Sequence, residues 1–387
     1  MNEEAMNNMK NAKKREQHPF WIWDSIMATP EILKECLIGE TRQQIENIVK
    51  KFEEKDINKI FLLGTGSSFF ATIAEKPAFE TFAGIPTSTH LTTEFCEFIP
   101  LNFDEHSAVF FHSHSGGTKG DPETVQKAKD LGAYTVAVTD IKTSQLAQAA
   151  DDVLIGPGGS KVELPATRTY SAAIFRMIQL ALELGKIHGN QADVLAAEEY
   201  LEKVPAILQK VADEYALKAP GIVEQIKDCR SFFVVGSGPN YATADEGALG
   251  MSQSSGCPAQ AFQLENFLHG PIQTIKPETG IILIAASGPF QERILKTAEA
   301  CHIIGAKVIL LHPEDVDPAD TVDVSMPFPS SIPELISPLL YMTPLWQVAY
   351  YFSLLGKGSH TDRLSMDKPE FKKAFEVIMS GDKKFVK

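Results

Sequence analysis

Short apolar runs alternate with stretches of helical periodicity along most of the chain. FLLG (61–64), AVFFH (108–112), TVAVT (135–139) and DVLIG (152–156) fall in the first half, and FFVVG (232–236), IILIAA (281–286) and VILLH (308–312) in the second. Runs this short and this apolar predict strands buried on both faces. Between them lie PETVQKAKDLG and ERILKTAEACHIIG, each closed by Gly, as helix C-termini often are. Such alternation predicts parallel sheets with helices on both faces, an α/β doubly wound fold whose ligands sit at the carboxyl ends of the strands. Residues 17–56 and 170–228 read as helical, and the tail after Leu355 begins as a loop and ends as a polar helix.

The pattern repeats. IFLLGTG (60–66) and FFVVGSG (232–238) each end an apolar run in Gly-x-Gly, so that Gly64 matches Gly236 and Gly66 matches Gly238. After one residue drops out, Ala71, Thr72 and Glu75 match Ala242, Thr243 and Glu246. AVFFHSHSG (108–116) then parallels GIILIAASG (280–288), and LGAYTVAVTD parallels IGAKVILLHP. An ordered series of strand–Gly–helix units at nearly constant offset predicts an internal duplication. The expected organisation is a helical segment at 1–56, a first domain at 57–200, a second at 201–355 and a tail at 356–387.

Composition narrows the function. An apolar content of 44% and a charged content of 22% over 387 residues are those of a globular chain long enough for two cores. No apolar run is long enough to span a bilayer, and the polar N-terminus is no secretory signal, so a cytoplasmic protein is expected. The net charge of −14 argues against a nucleic-acid partner. Five scattered cysteines without C-x-x-C spacing predict neither a disulfide framework nor a zinc site. No metal or other cofactor is expected.

Two loops carry candidate chemistry. Gly64-Thr65-Gly66-Ser67-Ser68 follows a strand and opens a helix, where free N–H groups and the helix dipole favour an anion and serine hydroxyls add donors. Phe69 stands where a dinucleotide fingerprint has its third glycine. The second loop, His112-Ser113-His114-Ser115-Gly116-Gly117-Thr118, sets three hydroxyl residues beside two glycines. A Ser-rich turn capped by Asp121 would account for it structurally. Two such loops at adjacent strand ends favour phosphate, with Gly66, Ser67, Ser68, Ser113, His114, Ser115 and Thr118 as the candidate binding residues. The second half has Ala285-Ala286-Ser287-Gly288-Pro289 instead, so the phosphate is expected in the first half.

The G-x-S-S and S-x-S-G-x-T loops resemble the sugar isomerase (SIS) domain. Their duplication resembles the isomerase half of glucosamine-6-phosphate synthase and the fructosamine 6-phosphate deglycases. The resemblance implies two tandem SIS-like domains and a phosphosugar isomerase, deaminase or deglycase acting on an amino-sugar 6-phosphate. It also implies a homodimer with shared active sites. A glutaminase domain is not seen, so glutamine-dependent amination is not expected. The stretch Glu265-Asn266-Phe267-Leu268-His269-Gly270-Pro271 resembles the family's acidic–aromatic–H-G-P loop, which makes His269 the implied ring-opening or proton-shuttling residue. The family's carbon base would lie sixteen residues earlier, where this chain has Gln253, which has no useful basicity. Three readings stay open. Glu265 or Glu246 does the base's work, the chemistry differs as in deglycation, or the chain is a non-catalytic sugar-phosphate-binding regulatory protein. The family's C-terminal tail brings a lysine to the site, which makes Arg363 and Lys368 candidate contacts.

Overall fold

The structure is a computed structural model that describes residues 15–118, 120–159, 165–189, 191–356 and 368–379. Three helices come first: α1 (Trp21–Met27), α2 (Thr29–Glu35) and α3 (Glu40–Glu54). The first domain continues with β1 (Lys59–Gly64), α4 (Ser67–Ala78), β2 (Thr87–Leu91), α5 (Thr92–Glu97), β3 (Ser107–His112), α6 (Asp121–Asp130), β4 (Tyr134–Thr139), α7 (Gln145–Ala149), β5 (Asp152–Ile155) and α8 (Arg168–His188). A long helix, α9 (Gln191–Ile226), leads on and runs straight through position 200. The second domain holds β6 (Ser231–Gly236), α10 (Asn240–Ser255), β7 (Ala259–Gln263), α11 (Leu264–Leu268), β8 (Thr279–Ile284), α12 (Gln291–Ile304), β9 (Lys307–Pro313), β10 (Val324–Phe328) and α13 (Pro338–Ser353). Helix α14 (Pro369–Met379) lies in the tail.

The two sheets have one topology. The first is ordered β2-β1-β3-β4-β5, and the second, read from its opposite edge, β7-β6-β8-β9-β10. Every adjacent pair is parallel. All seven apolar runs lie in strands, and the duplication extends to strand order. Both helices expected to end at Gly do so, with Gly132 and Gly305 in the left-handed region at φ 88° and 96°.

Side chains alternate between two buried faces, as the pleat requires. Leu62 of β1 and Phe110 of β3 enter a core that also takes Val234 of β6 and Ile282 of β8, so the inner faces of both sheets share one apolar body. Their neighbours Phe61, Leu63, Val109 and Phe111 pack on the outer face of the first sheet with Val125 and Ala128 of α6. Ile281, Leu283 and Leu310 do the same in the second, against Ile294 and Ala298 of α12. Helix α13 is buried nearly all round, with Trp346 edge-on to Tyr170 of α8. Among the described residues no helix is long and apolar enough to cross a membrane.

Candidate phosphate site

In the first sheet β2 and β3 lie on opposite sides of β1, so the chain leaves β1 for one side and returns on the other. A crevice opens at the carboxyl end of such a switch point. Register puts Leu63 of β1 beside Phe111 of β3, which brings Gly64 and His112, the last residues of the two strands, to the same edge. Both hydroxyl-rich loops leave from there. Gly64 has no room for a side chain: a Cβ would lie 2.6 Å from the backbone of Ser68, so the first turn of α4 folds directly onto the strand end. Gly236 meets Asn240 in the same way in the second domain.

A small cleft occupies this edge, lined by Ser67 and Ser68 from α4, His112 at the end of β3 with Ser113 and His114 after it, Asp140 after β4, and Thr169, Tyr170 and Arg176 from α8. The structure therefore brings Ser67, Ser68, Ser113 and His114 together. Thr118 joins through its hydroxyl, 2.9 Å from that of Ser113. The Ser115 hydroxyl accepts from the Gly117 N–H at 3.4 Å, which helps to hold the turn.

Beneath the loops sits a layer of buried charge. His112 Nδ1 donates to the Leu63 carbonyl at 3.2 Å, and its Nε2 lies 2.9 Å from Glu75 Oε2, off the line of a good hydrogen bond. His114 Nδ1 lies 2.9 Å from Oδ2 of Asp140. The other oxygen of Asp140 accepts from the Gly158 N–H at 3.3 Å and lies 4.0 Å from the Arg176 guanidinium. Burial pushes the Asp140 carboxyl up, but the His114 hydrogen bond and the nearby charges of Arg176 and His114 outweigh it and hold the group below its ordinary value. Arg176 is itself buried and donates to the carbonyls of Leu154 and Ala172. Asp140 and Arg176 were not singled out from the sequence. A signal existed: Asp140 is the charged residue that ends the run TVAVT, and Arg176 is the lone charge within SAAIFRMIQLAL.

Asp121, the first residue of α6, is buried behind Ser113 and Thr118, and burial raises its carboxyl to about 7 against the pull of those two hydroxyls. A hydroxyl has one proton, so one that donates to an ionised Asp121 has none left for a phosphate. The ionised form is the one penalised. The penalty is absent below the ordinary carboxyl value of 3.8, grows as pH rises towards 7 and is constant above it. At its plateau it is on the order of 4 kcal/mol. Asp121→Asn is therefore expected to melt several degrees above the parent chain at pH 8, with the gap more than halved at pH 5. Equal gaps in thermal melts at the two pH values would contradict this reading of Asp121.

In the second domain Glu334 lies against the matching loops. A Cβ on Gly238 would lie 3.1 Å from Glu334 Oε1, whereas one on its counterpart Gly66 would meet nothing within 4 Å; one on Gly288 would lie 2.5 Å from Glu334 Oε2, and one on its counterpart Gly116 2.1 Å from Ser144 Oγ. The Glu334 carbonyl accepts from the Ser337 hydroxyl at 2.7 Å, and that hydroxyl accepts from Asn240 Nδ2, which ties the residue to the start of α10. Burial raises the Glu334 carboxyl.

The acid–base candidates lie elsewhere. His269 caps α11 with 80% of its side chain exposed, 3.8 Å from Glu265. Glu265 is held by Arg293 at 3.0 and 3.3 Å, and that pairing keeps its carboxyl below the ordinary range, which weakens it as a proton acceptor. Glu246 is buried on α10, and after burial its charge is a cause that makes the Tyr170 hydroxyl harder to ionise. Gln253, seven residues further along the helix, is exposed. None of these four lines the first-half cleft. Lys368 is exposed, and Arg363 lies outside the described residues. Among the described residues no cluster of His, Cys, Asp or Glu is built to hold a metal.

Residues 55–183 match the SIS domain family. The chain is 29% identical over 354 residues to the glutamine–fructose-6-phosphate aminotransferase (isomerizing) of Thermococcus kodakarensis, a match covering 89% of this chain and 57% of that protein. It is 28% identical to the enzyme of the same name from Clostridium acetobutylicum, over 84% of this chain and 52% of that one. The chain thus spans little more than half the length of these curated relatives. The C-terminal domain of glucosamine-fructose-6-phosphate aminotransferase from Francisella tularensis superposes over 91% of this chain and 100% of its own, with a TM-score of 0.81 at 19% identity. Tagatose-6-phosphate ketose/aldose isomerase from Escherichia coli does so over 89% of this chain and 95% of its own, with a TM-score of 0.75 at 17% identity.

Proposed function

We propose that the chain is a phosphosugar isomerase, deaminase or deglycase acting on an amino-sugar 6-phosphate, a reading supported by the match of residues 55–183 to the SIS domain family. The observation that carries this reading is the cleft at the carboxyl ends of β1 and β3, lined by Ser67, Ser68, Ser113 and His114. Its hydroxyls and helix-start amides fit the acceptor oxygens of a phosphate. The names of the sequence relatives point to fructose 6-phosphate as the first substrate to try. In this reading the first domain grips the phosphate and the second supplies the proton transfers.

Moving a proton between neighbouring sugar carbons needs an acid and a base. His269 suits either role near neutral pH. Its exposure, away from the cleft of its own chain, favours a homodimer in which His269 enters the site of the other copy. The five free cysteines fit a protein working in the reducing cytoplasm.

The test is incubation with fructose 6-phosphate, glucosamine 6-phosphate and fructosamine 6-phosphates, following aldose–ketose interconversion, ammonia and released amine. A product is expected, and His269→Ala should lower its rate by roughly two to four orders of magnitude, the usual range for a general acid or base. Mixed dimers of His269→Ala with Ser113→Ala should regain activity if sites are shared. Saturable binding without product in the parent chain would sink the catalytic reading. Turnover gained by Gln253→Glu would then identify a regulatory binding protein, a reading favoured by glutamine at this position.

A further inference from the structure

We propose that the buried pair of Glu75 and His112 positions the phosphate cleft: it fixes the rotation of α4 about its own axis, and with it the aim of Ser68 towards Ser113. The inference rests on the reading of the cleft as a phosphate site and names the residues that hold its two hydroxyl loops in register.

Hydroxyls grip one anion only when they converge on it, and that requires their supporting elements to be locked together. Ser68 and Ser113 come from different elements, the first turn of α4 and the residue after β3. The β1–β3 register fixes the strand ends, and Gly64 lets the start of α4 close onto β1. Neither fixes how α4 is turned about its axis, yet that rotation swings the first-turn hydroxyls into the cleft or out of it. Ala71 and Glu75 follow Ser68 by three and seven residues, so the three share one face of α4. Ser68 and Ala71 line the cleft. Glu75 continues the same stripe below it, where its Oε2 lies 2.9 Å from His112 Nε2, the two side chains being 0% and 2% exposed. The other ring nitrogen of His112 donates to the Leu63 carbonyl of β1 at 3.2 Å. From the last residue of β3 one imidazole therefore reaches both β1 and α4, and Ser113 is the next residue along.

Cohesion alone gives a poor account of the pair. Among the described residues both oxygens of Glu75 and Nε2 of His112 have no well-directed hydrogen bond. Burying such groups costs more than burying apolar side chains of similar size. The duplication displays the apolar alternative. Glu246 occupies the position of Glu75 in the second half, but Ile284 occupies that of His112. Ile284 is likewise the last residue of its strand and is buried, so an aliphatic side chain suits this point of the sheet. The imidazole stands in the half that carries the hydroxyl loops and is missing from the half that has Ala285-Ala286-Ser287 in their place. Glu75 and His112 are thus positioning residues, and the loops above them make the contacts.

The test is the full-length chain carrying Glu75→Met and His112→Leu together, which removes the pair and keeps its volume. Its melting temperature is expected to stay within about three degrees of the parent or to rise, because a buried polar pair replaced whole by apolar groups is seldom missed by the fold. Its calorimetric affinity for fructose 6-phosphate and for inorganic phosphate should fall roughly ten- to a hundredfold, as when one hydrogen bond to a charged group is lost. A contact made for stability alone would move the melt and leave the affinity. Glu75→Gln should keep the affinity within about threefold, since its amide can donate to Nε2 of a neutral His112 whose proton sits on Nδ1. A double variant that binds both ligands like the parent, or that no longer folds, would overturn the assignment. So would a Glu75→Gln chain that loses as much affinity as the double variant. Failure of both ligands to bind the parent, or indifference of both to Ser113→Ala, would overturn the phosphate site itself.

Discussion

Replacing Ser113 and Thr118 together by alanine is expected to weaken the binding of fructose 6-phosphate by two to four orders of magnitude. The two hydroxyls are 2.9 Å apart and stand over the start of α6, so one phosphate can engage both. A hydrogen bond to a charged group contributes about 1.5–3 kcal/mol, and two of them together give this range. The double variant also strips Asp121 of its partners. Comparison is therefore best made near pH 6, where Asp121 is largely neutral in both chains. Calorimetric titration gives the affinity, and thermal melts confirm the fold. A loss below about fivefold would mean that these hydroxyls do not contact the ligand.

Removing the guanidinium behind the same loops is expected to destabilise the whole chain. Arg176→Met should cost about 3–5 kcal/mol, the range seen when one partner of a buried ion pair is lost. Arg176 is 1% exposed and does three things at once. It donates to the Leu154 carbonyl at the end of the first sheet, donates to the Ala172 carbonyl within α8, and lies 4.0 Å from Asp140. Methionine fills most of the volume but leaves the Leu154 and Ala172 carbonyls without their donor and Asp140 with only His114 and the Gly158 N–H. Arg176→Lys should recover only part of the loss, because a single ammonium cannot reproduce a planar fork. Urea unfolding of the variants is the measurement, and an Arg176→Met chain within 1 kcal/mol of the parent would contradict the argument.

How far the sequence went can be read from particular elements. Strands buried on both faces are largely apolar, so β1, β3, β4, β6, β8 and β9 announce themselves, and so does the edge strand β5 through its run DVLI. The edge strands β2 (TSTHL), β7 (AQAFQ) and β10 (VSMPF) are more polar or more exposed and resemble loops when read along the chain. Helix α13 carries apolar residues nearly all round, so it shows no amphipathic stripe. Only the duplication hints at it, as the counterpart of α8. In the site, the hydroxyl loops are local motifs and were legible. The Asp140–His114 contact spans 26 residues, and Arg176 lies 36 beyond Asp140, so their meeting is a product of the fold. The exposure of His269 and the pairing of Glu265 with Arg293 were also beyond a linear reading.

Glu334 gives the duplicated architecture its asymmetry. With its own carboxylate beside Gly238 and Gly288, the second half presents an acid where the first has open space beside Gly66. A visiting anion would meet like charge and an occupied volume together. Of the two repeated strand-end turns that carry Gly66 and Gly238, only the second has this side chain beside it.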